Sequence, residues 1–143
     1  MLSSVLRLFR PDPMDRQAGE LYITLVTQSR KAFFYEELKV PDTLDGRHEM
    51  ILLHLFLLLH RLQYDKNPSA YEDLGRALAE THFSHMDQTL RELGVGDTGV
   101  SKRIGHMAEA FFGRMQAYEA ACNNVDALTD ALLRNVYGTE PAP

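Results

Sequence analysis

The residues best equipped to hold a metal or move a proton are the six histidines. His82 and His85 stand three apart and would share a helix face, as ligands for a metal ion or a haem. Two imidazoles leave such a site incomplete, and the neighbouring Glu80 and Asp87 do not converge on it in any obvious way. His48-Glu49 begins like the H-E-x-x-H zinc helix, but the next histidine is His54, too late for that motif. His54 and His60 face different directions on one helix. The spacing favours ordinary core or surface histidines over a metal or haem site.

Other chemistry is weaker still. The stretch Gly94-Val95-Gly96-Asp97-Thr98-Gly99 looks like a phosphate cradle, with Lys102 and Arg103 close behind. It lacks the G-x-x-x-x-G-K-[ST] spacing and a preceding strand, so a helix–helix turn is the better reading. In that turn Gly94 and Gly96 would relax the backbone and Asp97 or Thr98 would cap the next helix. Cys122 falls on an apolar helix stripe and reads as packing. Glu36-Glu37 and Glu72-Asp73 read as solvated faces. No nucleophile stands at a motif spacing from a base, and the expectation is a non-enzymatic protein without a cofactor.

What remains is charge at helix junctions. Asp42, Asp45 and Arg47 cluster at one, and Arg91, Glu92 and Asp97 at another. Ion pairs between the two junctions, buried or partly buried, would hold helix ends in register. The functional alternative is a charged rim around an apolar groove, with Phe33, Phe34 and Tyr35 as its aromatic surface.

The elements that must position these groups are helical. No alternating Val/Ile/Thr run or Asn-Gly hairpin marks a strand. A first helix starts near Pro13 and carries Ala18, Leu21, Tyr22, Leu25 and Val26 toward a core. The aromatic segment 29–38 follows and breaks at Val40-Pro41. A second long helix, capped by Asp42 or Asp45, ends near Tyr64, and its Met50–Leu59 run leaves no face for water. A third, from Ser69 to Gly94 with a kink near His82, carries Tyr71, Leu74, Leu78, Phe83, Met86, Leu90 and Leu93. A fourth presents Ile104, Met107, Ala108, Phe111, Met115, Tyr118 and Cys122, and a last one presents Val125, Leu128, Leu132 and Val136. The fold expected is all-α, a single-domain bundle of about five to six helices. It divides into a short amphipathic segment 1–12, a helical domain 13–137 and a frayed tail 138–143.

Composition sets the outer limits. At 143 residues with 45% hydrophobic and 24% charged side chains, the chain is long enough for one well-packed core. A net charge of −5 disfavours direct nucleic-acid binding. The single cysteine excludes an internal disulfide, fits a reducing compartment and is read as ruling out cysteine-based zinc sites. Met50–Leu59 is half the length of a membrane span. At the N-terminus, Leu2, Val5, Leu6 and Phe9 form a stripe flanked by Arg7 and Arg10. Docking onto the domain, contact with an anionic membrane surface and presequence cleavage are its three readings.

Three patterns occur in order along the chain. Phe34-Tyr35 precedes Pro41 to Arg47, a P-D-T-x-D-G-R cassette; Leu90 to Asp97 reads L-R-E-x-G-V-G-D; Gly113-Arg114 with Ala117-Tyr118 reads G-R-x-x-A-Y. Together they resemble the ubiquinol–cytochrome c chaperone family, over roughly residues 21–121. The resemblance implies a helical assembly factor that binds newly made cytochrome b and assists construction of the cytochrome bc1 complex. It implies no catalysis and no small-molecule substrate. The ribosome and the inner-membrane surface are further partners it brings into view. Eukaryotic members work on the mitochondrial matrix side, with a small partner protein. A chain so close to the bare domain suggests a bacterial, cytoplasmic member near the inner membrane.

On this reading the client-binding residues are Phe33, Phe34, Tyr35, Asp42, Asp45, Arg47, Met86, Arg91, Glu92 and Asp97. Met107 and Met115 would join Met86 in an adaptable surface. The competing readings are a generic helical interaction module, a haem- or metal-binding protein using His82 and His85, and a peripheral membrane adaptor anchored by residues 1–10.

Overall fold

The computed structural model describes residues 12–64 and 66–139. The N-terminal stripe from Leu2 to Arg10 lies outside the described residues, as does the tail from 140. Among the described residues the fold is all-α, one domain of six helices: α1 (Pro13–Ser29), α2 (Ala32–Glu36), α3 (Leu44–Gln63), α4 (Pro68–Glu92), α5 (Asp97–Ala121) and α6 (Val125–Asn135). No helix among them is long and apolar enough to cross a membrane.

Helix α1 starts where Asp12 accepts the Met14 backbone N–H at 3.0 Å, with proline in its first turn. Its buried residues Ala18, Tyr22, Leu25 and Ser29 fall at helical spacing, and that stripe lies along α4 and α3. Helices α3 and α4 run antiparallel: His48 stacks on His82 near one end, while Leu59 meets Gly75 near the other. The main core joins Ala18, Tyr22, Leu25, Ile51, Leu52, Leu55, Leu74, Leu78 and Phe111. Helix α6 folds back to cover a smaller cluster of Phe56, Tyr118, Ala121 and Ala131. Its end, with Val136, closes over Val40 and Met50.

Several local expectations change. The central helix α3 keeps a wet face, since Leu57 is 54% exposed. Leu93 and Val125 also point outward, because each sits at a helix end, beyond the last turn that packs. Helix α4 runs through His82 without interruption. Thr43 caps α3, its hydroxyl accepting the Gly46 N–H at 3.0 Å, which leaves Asp42 and Asp45 free of that task. Helix α5 has Gly96 at its cap with no side-chain bond, and Asp97 is already its first helical residue. Gly96 has an ordinary backbone angle; the glycine that needs its freedom is Gly94, at φ 86°. There the Val95 N–H reaches the Leu90 carbonyl and the Gly94 N–H the Arg91 carbonyl, a Schellman ending for α4. The first residues of the expected frayed tail are tied, since the Thr139 N–H reaches the Leu133 carbonyl at 2.8 Å.

Candidate functional site

The Pro41 to Arg47 cassette is folded upon itself. A Cβ placed on Gly46 would stand 2.0 Å from the Pro41 carbonyl oxygen, so only glycine lets the chain double back at this distance. With Thr43 capping α3 from within the same turn, Pro41, Thr43 and Gly46 are the cassette's structural half. Its charged half faces water. The Arg47 Nε donates to Asp42 Oδ1 at 2.7 Å, and both side chains are about half exposed.

Two clefts flank this turn. The first is bounded by Arg30, Ala32, Tyr35, Glu36, Asp42 and Arg47. Tyr35 donates its hydroxyl to the Ser29 carbonyl at 3.0 Å, which fixes the ring between the end of α1 and the cassette. Burial pushes the Tyr35 hydroxyl above its ordinary pKa, against the pull of the Arg47 cation. The second cleft lies on the other side of the cassette, where Asp45, His48 and Glu49 face Asn135 and Tyr137. Asp45 and Arg47, two positions apart, therefore serve different surfaces.

The aromatic trio is divided in the same way. Phe33 is 55% exposed. Phe34 turns inward onto His54, ring centroids 5.5 Å apart, and joins the cluster around Val40 and Met50. The tight return of the chain that makes this possible passes through Lys39, at φ 59°, with the Val40 N–H bonded to the Phe34 carbonyl at 2.9 Å.

The second junction is self-contained. Arg91 donates to Asp87 at 2.7 Å and also to Asp97, so it ties the last turn of α4 to the first of α5. Glu92 accepts from Gln88 along its own helix. The ion pairs expected between the two junctions are instead formed within each one, at the surface, because each arginine meets a carboxylate only four to six residues away. Met86 is 7% exposed, so it belongs to the core rather than to an accessible groove floor. Met107 and Met115 are only partly buried.

The strongest polar contact between helices was not anticipated as a pair. Arg114 of α5 grips Glu49 of α3 through two bonds of 2.7 and 2.9 Å, both side chains largely shielded. The residues are 65 positions apart, and the one available signal was an arginine inside the apolar G-R-x-x-A-Y helix. Tyr118, in the same motif, is fully buried, and burial pushes its hydroxyl up to about 12.

His82 and His85 converge on a tyrosine. The Tyr22 hydroxyl bridges His82 Nδ1 at 2.9 Å and His85 Nδ1 at 3.1 Å, donating to one ring and accepting from the other. That leaves neither Nδ1 spare for a ligand. His82 is completely buried with His48 stacked on it, and burial, then the two neighbouring histidines, push its pKa down to about 3. Burial also lowers His48, opposed by Glu49 and Asp45.

Comparison with known proteins follows the same residues. The family model described as ubiquinol-cytochrome C chaperone matches residues 36–142. It takes in the cassette, the Arg91 turn and the Arg114 helix, extends past Ala121, and begins just after the aromatic trio. The crystal structure of the Cbp3 homolog from Brucella abortus is similar at 39% identity and a TM-score of 0.72, covering 100% of this chain and 79% of that one. No curated protein matches the chain.

Proposed function

The chain belongs to the ubiquinol-cytochrome C chaperone family, and on that premise we propose that it binds newly made cytochrome b and assists assembly of the cytochrome bc1 complex. Family membership supports a chaperone role, which on this reading is exercised by binding. The match over residues 36–142 is the observation that carries the reading, since it spans the fold from α3 through α6.

The geometry supports one client-facing surface above the others. Beside the structurally committed Pro41, Thr43 and Gly46, the side chains of Tyr35, Asp42 and Arg47 line an open cleft, with exposed Phe33 on the neighbouring face of α2. The Tyr35 ring and the exposed Phe33 offer an apolar helix something to pack on, while Arg30, Glu36, Asp42 and Arg47 can meet the few polar groups at a cytochrome b helix end. The Arg91–Asp97 turn is a separate charged surface, available to a second partner such as the ribosome or the inner-membrane surface. The reading places the chain on the side of the membrane where cytochrome b is made.

Removing the protein from its host is expected to lower cytochrome b and ubiquinol–cytochrome c reductase activity together, with cross-linking from residues beside the cleft recovering cytochrome b. Normal cytochrome b levels in the deletion strain would overturn the proposal.

A further inference from the structure

At the opposite end of the central helix from the cassette, a cluster of donors remains that the chaperone reading does not use. His60, in the last turn of α3, donates from Nδ1 to Glu119 Oε2 at 2.8 Å. Glu119 is in the last turn of α5, and Cys122, which closes that helix, lies on the same side. The imidazole nitrogen, the carboxylate oxygen and the sulfur all lie within 4.8 Å of one another, the one such trio among the described residues. The Gln63 amide stands 3.2 Å from His60 Nδ1 and 3.3 Å from both Glu119 oxygens.

We propose that His60, Glu119 and Cys122 form a binding site for a single divalent transition-metal ion of zinc chemistry. Gln63 or a water would take the fourth position. Thiolate, imidazole and carboxylate are the donors zinc selects, at about 2.0–2.3 Å, which places donors in a tetrahedron roughly 3.4 Å apart. The His60 and Glu119 donors already meet at 2.8 Å, and the trio as a whole spans no more than 4.8 Å, so side-chain rotations that close about 1.4 Å or less, chiefly at Cys122, would complete the tetrahedron. The arrangement is two i,i+3 pairs from neighbouring helices, His60 with Gln63 and Glu119 with Cys122, as in helix-bundle metal sites.

Electrostatics and packing point the same way. Helices α3 and α5 both end here, so two sets of terminal carbonyls and two negative dipole ends favour a cation. The His60 ring is held between Phe56 and Tyr64, at 5.3 and 4.9 Å, which limits what ordering it would cost. Having one cysteine excludes a multi-thiolate site, but not one where imidazole and carboxylate complete the set. The thiol proton leaves as the metal–sulfur bond forms, and the Nδ1 proton shared with Glu119 moves to Nε2 so that Nδ1 can bind the ion; the net release of a proton makes affinity rise with pH. The bound ion would clamp the ends of α3 and α5 together.

The test uses the reduced, metal-stripped full chain titrated with Co²⁺ and then Zn²⁺. Expected are one equivalent of cobalt with a thiolate charge-transfer absorption, its displacement by one equivalent of zinc, and a rise of several degrees in Tm with zinc. Cys122→Ser should abolish the absorption, and His60→Ala and Glu119→Gln should each weaken cobalt affinity by about tenfold or more, with helical circular dichroism retained. If His60→Ala does not fold, His60→Gln provides the same reading. The proposal fails if stoichiometric cobalt gives no charge-transfer absorption. It fails equally if the His60 and Glu119 variants bind cobalt as the wild type does, because the thiol would then be acting alone.

Discussion

Gly46 shows how little room a single residue can have. The Pro41 carbonyl occupies the space where any larger residue would place its Cβ, and backbone cannot swing aside as a side-chain tip can. Gly46→Ala is expected to destabilise the protein by about 1–3 kcal/mol in urea denaturation. Gly19, inside α1 with nothing within 4 Å of its Cβ position, is the control, and Gly19→Ala should stabilise by about 0.5–1 kcal/mol. His82 makes a pH prediction. Its pKa falls from 6.5 to about 3 on folding, so above pH 6.5 the ring is neutral in both states and adds no pH dependence. Between those values the unfolded chain binds a proton that the folded protein refuses, and stability falls as pH falls. From pH 6.5 to 5 the loss should be about 2 kcal/mol, before most carboxylates titrate. His82→Phe should reduce that slope in urea midpoints taken at successive pH values, leaving the part due to His48 and His85, which burial also holds down; an unchanged slope would assign the acid sensitivity elsewhere.

At the scale of helices, the contact that sets α5 on α3 is Glu49 with Arg114, which are 15% and 28% exposed in their side chains. Removing one partner strands the other charge in a poorly hydrated place, so Glu49→Ala or Arg114→Ala should each cost about 2–3 kcal/mol. The double variant should cost clearly less than their sum, a coupling that a double-mutant cycle in urea measures directly. Additive costs would mean that packing, rather than the pair, sets the helix in place. The helix ends divide by the same logic of local satisfaction. Asp12, Thr43 and Asn124 each accept a backbone N–H from the turn they cap, whereas α4 ends on Gly94 through its Schellman bonds.

Across the whole molecule, α6 returns the end of the described chain to the connection between α2 and α3: the Tyr137 hydroxyl donates to the Leu38 carbonyl at 2.7 Å, 99 residues away. The return builds the second cleft, so the cassette separates two surfaces, one against the end of α1 and α2 and one against the end of α6. Charge reversal distinguishes what those surfaces do. Asp42→Arg and Arg47→Glu disturb a surface pair, so melting temperatures should stay at the wild-type value. Capture of cytochrome b in pull-downs should drop, and more than for Asp45→Arg on the other face. Undiminished capture by the Asp42 and Arg47 variants would make the cassette a folding device alone.

The sequence by itself determined the all-α class, the positions of the long helices and the family, because periodicity, proline and glycine breaks and a short ordered motif are all local signals. Within the cassette it also marked the right turn while assigning the cap to the wrong residue, since Thr43 and its two flanking aspartates are equally able acceptors until backbone angles choose between them. Only the tertiary structure decided what lies far apart in the chain. It paired Glu49 with Arg114, hung His82 and His85 on Tyr22, buried Met86 and brought His60 to Glu119 and Cys122. Those partners are 59 to 65 residues apart, and no spacing rule reaches that distance. Their meeting depends on how the faces of four helices pack, and that is a property of the whole core.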